Sequence, residues 1–280
     1  MTAPQISNPA ADHWSDVAAA WDRSIDAIDA GSKAATVQAF VDTAGIRPGD
    51  AVLELAAGPG SLGAIWSALV GPHGSVTLSD VAPGMVDVAR RRTAHLGNVD
   101  VAVIDMAVID RPDASFDVVV SRMGLMFVVE PARAVGEMRR VLRPGGRFAA
   151  MTWAGVEHNP WMSCVGMAAM MNGLVAGGPP VGPGGIFSLG DPDLLRRLVC
   201  DAGFDDVEVA AIDTTFEAAN IDEHIARVSS LAGPLAAAFD AATPEQLAAV
   251  RQTAAGLAAP YTSDAGVCLP GRALLVSARR

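Results

Sequence analysis

Four polar residues stand where chemistry could be done in this chain: Glu54, Asp80, Asp105 and Ser121 each close or follow an apolar, strand-like run. The runs are Ala51–Leu53, Ser75–Ser79, Val99–Ile104 and Phe116–Val120. In a parallel α/β sheet, ligands bind outside the carboxyl ends of the strands, so these side chains would share one crevice. Between the first two runs lies Gly58-Pro59-Gly60-Ser61-Leu62-Gly63, the spacing G-x-G-x-x-G. Leu62, Ile65, Trp66 and Leu69 then recur at helical spacing. Strand, glycine turn and helix let backbone amides approach a nucleotide-like ligand. By itself such a turn is equally well a tight connection. Asp80 lies about 20 residues beyond the glycines, where a carboxylate can accept from both ribose hydroxyls. It can serve as a helix N-cap at the same time.

The elements that would position these residues follow from periodicity. Residues up to about Asn8 read as disordered. Trp14, Val17, Trp21, Ile25 and Ile28 predict an amphipathic helix. Its aromatics pack the core, or form a lid over a cationic ligand. A short helix around Lys33–Thr43 leads to a turn at Arg47-Pro48-Gly49-Asp50. Arg90, Arg91 and Arg92 read as a solvated face. Pro131 opens a helix that the turn Arg143-Pro144-Gly145-Gly146 closes, and Arg147–Thr152 is a fifth strand. From Asn159 to Gly190 there is no charged residue. That stretch carries a Met-rich helix and a Gly/Pro-rich loop over Gly177–Gly185, and reads as buried structure or as a cap over an apolar substrate. Val207–Phe216 and Ala273–Ala278 are late strands joined by alanine-rich helices over Ile221–Leu257, interrupted at Gly233-Pro234. The fold class is α/β, a doubly wound and mostly parallel seven-stranded sheet with an antiparallel edge strand and helical cap segments.

Composition narrows the function. The formal net charge of −11 argues against nucleic acid or an anionic membrane as the main partner. Cys164, Cys200 and Cys268 are far apart and read as buried apolar residues, not a metal site or disulfide framework. No basic and apolar leader stands at the N-terminus, so a cytoplasmic protein is expected. The charge-free stretch is too interrupted for stable membrane insertion. The expected partner is a small molecule, and a homodimer is compatible with the chain.

A dinucleotide site accounts for the glycines and Asp80 but not for Glu54, Asp105 or the LRPGGRF turn. ELAAGPG, SDVAPGM, Asp105-Met106, DASFDVVVSRMG and RRVLRPGGRF together resemble the successive motifs of class I S-adenosylmethionine-dependent methyltransferases. The likeness is to the branch of the ubiquinone/menaquinone-biosynthesis methyltransferases, and it covers about Val52–Trp153. The resemblance implies a Rossmann-like methyltransferase fold with S-adenosyl-L-methionine as cofactor. It implies that Glu54, Ala56, Gly58 and Gly60 hold the methionine part through the backbone, and that Asp80 binds the ribose. Val81 and Met85 would flank the adenine, Asp105 and the Met106 amide would read its edge, and Ser121 would contact the methionine end through its backbone. Trp21 stands where related chains place an aromatic. Ala56 departs from the pattern, replacing the usual first glycine. The organisation expected is an N-terminal helical lid (1–45), a cofactor-binding core (46–155), an apolar cap insertion (156–190) and the end of the sheet (191–280) with an inserted helical cap (217–265).

A sulfonium methyl group is already a strong electrophile, so such an enzyme mainly aligns the acceptor and excludes water. A base is needed only where the acceptor must lose a proton. The candidates are His158 and Glu157, just after strand five, His13 and His224 in the cap segments, and Tyr261, the only tyrosine; each is equally readable as a structural or solvated residue. The expected function is methyl transfer to a small, apolar or aromatic molecule. The alternatives are an NAD(P)-dependent oxidoreductase using the same turn, and a cofactor-binding protein without turnover.

Overall fold

The computed structural model describes residues 9–30, 33–176, 180–231 and 233–280. The expectation of disorder before Asn8, and Gly177, Gly178 and Pro179 of the Gly/Pro-rich loop, lie outside the described residues. Among the described residues, eight strands form one sheet in the order β3-β2-β1-β4-β5-β8-β6, with β7 pairing β8. The strands are β1 (Ala51–Leu55), β2 (Ser75–Asp80), β3 (Val99–Val103), β4 (Phe116–Arg122), β5 (Leu142–Trp153), β6 (Asp205–Ala218), β7 (Thr262–Ser263) and β8 (Gly266–Arg279). β1 pairs in parallel with both β2 and β4, so the strand order reverses beside it. That reversal opens a crevice at the strand ends. β8 runs antiparallel to both β5 and β6. The antiparallel feature at this edge is thus β8, with β6 outermost. The two-residue β7, a hairpin with the start of β8, is an eighth strand too short for any periodicity to reveal.

Period-two alternation sorts the side chains between two layers. Leu53, Leu55, Phe148 and Ala150 face α6 (Pro131–Val141) and α8 (Pro192–Asp201). Val52, Ala149 and Met151 face α3 (Ala34–Ala44) and α4 (Gly63–Val70). Glu54 shares the parity of Val52, so its carboxylate points at α4.

The expected N-terminal helix is two helices, α1 (Pro9–Asp16) and α2 (Ala18–Asp29), broken at Val17. They pack on α5 (Pro83–Thr93) through Val17, Ala18, Met85 and Val88. The arginine run is not merely a solvated face. Arg91 donates to Asp22 at 3.0 Å, and Arg92 bridges Asp22 and Asp26. These pairs fasten α2 onto α5.

The charge-free stretch forms α7 (Pro160–Met171), which packs with α9 (Ile221–Leu231) and α11 (Pro244–Ala258) over the ends of β6 and β8. α10 (Gly233–Asp240) lies between those two helices. Of the cysteines, Cys164 is buried as expected, whereas Cys200 and Cys268 are exposed. Cys200 sits late in α8, outside the Leu195/Val199 stripe that faces the core, and Cys268 alternates outward between buried Val267 and Leu269. Among the described residues no helix is long and apolar enough to cross a membrane.

Candidate active site

The glycine turn is built by one buried carboxylate. Asp80, 7% exposed at the end of β2, accepts from the Gly58 amide at 3.0 Å and the Ala82 amide at 3.0 Å. Burial pushes its carboxyl above the usual range, and the amides of Ala82, Gly58 and Val81 oppose that. Gly58 has φ +55°, the left-handed conformation that favours glycine. Gly60 serves packing, since a Cβ there would lie 3.0 Å from the Ala89 Cβ.

Ala56 also sits at φ +55°. Its methyl group occupies the space left by Gly124, where a Cβ would fall 2.2 Å from the Ala56 Cβ. The missing glycine of the motif is therefore compensated 68 positions later in the chain.

Glu54 is 2% exposed and accepts from the Trp66 indole N–H at 2.7 Å. Burial raises its carboxyl to about 7, with the Arg122 guanidinium working in the opposite sense. Arg122, at the end of β4, is bidentate to Asp29 of α2 at 2.7 and 3.0 Å and donates to Ser61 at 2.9 Å. This pair holds α2 over the crevice. Asp105 follows β3, and its Oδ1 accepts from the Ala107 amide at 2.8 Å.

One cavity of about 1070 Å³ joins these groups. Trp21, Glu54, Ala56, Gly58, Asp80, Val81, Met85, Asp105 and Met106 line it. Gly60 and Ser121 do not: Gly60 is turned against α5, and Ser121 is fully buried. Glu157 and His158 lie outside it too, paired with each other at 3.5 Å, with side chains 67% and 45% exposed.

The far half of the cavity is aromatic and aliphatic. Trp161 of α7 stacks on Phe216 of β6, with centroids 4.1 Å apart and planes at 6°. Trp153 tilts against both. Trp14 meets Phe127 edge-on at 5.0 Å, and the Trp21 indole donates to the Leu231 carbonyl at 3.2 Å. Met162, Ile186 and Phe187 complete this wall. His224 of α9 is fully buried at its edge. A ring nitrogen facing a carbonyl must be the donor, so Nε2–H donates to the Trp161 oxygen at 2.6 Å. Burial lowers the His224 pKa, which leaves Nδ1 as an acceptor without a partner among the described residues. Of the base candidates in the sequence, His13 and His224 line the cavity and Tyr261 does not; Lys33, Arg122 and Arg227, to which the sequence alone assigns no role, line it too.

Comparison with known proteins places this geometry. The methyltransferase-domain family model matches residues 52–146. A ubiquinone/menaquinone biosynthesis C-methyltransferase of Shewanella sediminis is 30% identical over 219 residues, covering 74% of this chain and 87% of that protein. The chain belongs to the class I S-adenosylmethionine-dependent methyltransferases. The corresponding protein of Teredinibacter turnerae is 36% identical over 141 residues, and there the match to the methyltransferase covers 49% of this chain and only 57% of the relative's length. A methyltransferase-fold crystal structure from Bacillus halodurans superposes with a TM-score of 0.59 at 18% identity, over 87% of this chain and 97% of the other. That likeness concerns the fold. Nothing in these comparisons supports the nicotinamide-dependent alternative.

Proposed function

We propose that this methyltransferase transfers the methyl group of S-adenosyl-L-methionine to a small, apolar or aromatic acceptor held in the far half of the cavity. One observation carries the reading: a single cavity joins the cofactor motifs at the ends of β1, β2 and β3 to a wall of Trp153, Trp161, Met162, Ile186 and Phe216. The near half suits the cofactor. Asp80 is a buried carboxylate that opens on the cavity, Val81 and Met85 give apolar surface beside it, and Asp105 with the Met106 amide offers an acceptor and a donor. Bound there, the cofactor supplies an electrophilic methyl group on a sulfonium.

The chain's own residues then bind, orient and exclude water. Asp80 is proposed to accept from the two ribose hydroxyls and Asp105 from the adenine amino group. Glu54 through Gly58 are proposed to hold the methionine part. α1, α2, α7 and α9 are proposed as the cap, because Trp14, Trp21, Trp161 and Leu231 all face the cavity. Closing such a site strengthens every electrostatic interaction in it. Where the acceptor must lose a proton, the groups that line the cavity include His13, His224, Glu54 and Lys33, whereas the exposed Glu157 and His158 lie outside it. The net charge of −11 and the apolar wall favour a small uncharged or locally charged molecule over nucleic acid.

Isothermal calorimetry with S-adenosylhomocysteine and with NAD tests the cofactor half: the first should bind and the second should not. A panel of small aromatic acceptors tests the other half. Cofactor binding without turnover on any of them would favour the non-catalytic reading.

A further inference from the structure

The chain contains 19 arginines and one lysine, Lys33. The single lysine lines the cavity. Lys33 immediately precedes α3. Its Nζ lies 3.3 Å from the centroid of Phe216 and 5.9 Å from that of Trp161. Among the described residues its Nζ makes no ion pair or hydrogen bond, and only the backbone N–H is paired, with the Ala30 carbonyl. The other two cations of the cavity are matched: Arg122 by Asp29, and Arg227 by Glu223 at 2.6 Å. A half-buried ammonium with no carboxylate in contact is costly, and a π face repays only part of that cost.

We propose that Lys33 receives an anionic oxygen of the methyl acceptor, so that the acceptor is a planar, mostly apolar molecule carrying a carboxylate or an ionised hydroxyl. The inference rests on the methyl-transfer reading and names the specificity residue of that site. The Trp161–Phe216 stack forms an apolar wall beside the amine, and the ring of Phe216 holds the cation until an anion arrives. The charged and titratable groups facing Lys33 are Asp29 of α2, Arg122 of β4, and Arg227 and His224 of α9. Burial, then Arg227, lower its pKa to about 7, while Asp29 opposes them. Near neutral pH Lys33 thus exists in both forms. A carboxylate binds to the ammonium with no proton moved. A hydroxyl gives its proton to the neutral amine: the O–H bond breaks, an N–H bond forms on Nζ, and the electron pair stays on the oxygen. Arginine could not do the second, because it stays protonated.

The single lysine makes the test selective. Protein grown with 13C-lysine gives one lysine side-chain resonance, followed against pH with S-adenosylhomocysteine present. The probes are benzoate and 4-nitrophenol, each with a neutral counterpart, benzamide and 4-nitroanisole. The anionic probes should move the resonance and raise its titration midpoint by roughly one pH unit or more. They should bind at least about tenfold more weakly to Lys33→Met, whereas the neutral pair should not distinguish the two proteins. A response to benzoate alone assigns the oxygen to a carboxylate, and a response to nitrophenol alone assigns it to a hydroxyl. An unmoved resonance, or equal binding of the anions to both proteins, overturns the proposal and leaves Lys33 as a cation resting on Phe216. S-adenosylhomocysteine affinity is read in the same samples. Its absence in the parent protein would count against the methyl-transfer reading instead.

Discussion

Replacing Glu54 by glutamine should stabilise the ligand-free protein, and only above acidic pH. The native carboxyl titrates near 7, against 4.5 for the free group, because burial disfavours its charged form. Between those values the native state keeps a proton that the unfolded chain has released. Stability therefore falls as pH rises through that window, and levels off above about 7. The gap between 4.5 and about 7 corresponds to about 3 kcal/mol. Glutamine is neutral throughout, and its carbonyl can still accept from the Trp66 indole, so the steric cost is small. Allowing for the second buried amide group, Glu54→Gln should gain about 2 kcal/mol at pH 8 and close to nothing at pH 5. Urea unfolding followed by tryptophan fluorescence, repeated from pH 5 to 8.5, reads this directly. A difference that is constant across that range would refute the reasoning, because it would mean that Glu54 titrates alike in both states.

Asp80→Ala removes both a proposed pair of charge-assisted bonds to the ribose and the bonds to the Gly58 and Ala82 amides that shape the turn, so S-adenosylhomocysteine affinity by calorimetry should fall at least about tenfold while far-ultraviolet circular dichroism shows the sheet and helices retained. Asp105→Ala should bind the cofactor more weakly and lose discrimination against an analogue lacking the adenine amino group, which the same calorimetry compares. Gly124→Ala forces its Cβ to within 2.2 Å of the Ala56 Cβ and should cost about 1–3 kcal/mol in denaturant unfolding, with Ala56→Gly restoring most of the loss. Hydrogen exchange should show added protection in α1, α2 and α7 when S-adenosylhomocysteine and an acceptor are present, and protection confined to the glycine turn would remove the cap assignment.

The parallel core was legible because its signals are local. Val52, Leu53 and Leu55 alternate between two apolar layers, Gly58 and Gly60 punctuate the turn, and Asp80 and Asp105 follow short apolar runs bounded by turn residues. The order of the late strands was less so: β8 pairs with two partners, and no property of Ala273–Ala278 says which neighbour lies on which side. The break at Val17 was hidden because Trp14, Trp21 and Ile25 keep helical spacing across it. His158 was misleading for a physical reason. Closeness in sequence to the end of β5 puts it near the mouth, but the short turn at Val156–His158 carries it to the surface. The contacts that close the far half join Trp161 of α7 to Phe216 and to His224, 63 residues further on, and form only in the fold. Lys33 had a signal of its own in composition, as the one lysine beside 19 arginines.

The most direct test of methyl transfer to a small molecule uses S-adenosylmethionine carrying a deuterated methyl group. The protein is incubated with it and the small-molecule fraction of a bacterial extract, and the products are read by mass spectrometry. The account predicts a low-molecular-weight, apolar product bearing the intact labelled methyl group, formed by the parent protein and strongly reduced with Asp80→Ala. Label found only in S-adenosylmethionine and its breakdown products, from a protein that binds S-adenosylhomocysteine, would contradict it.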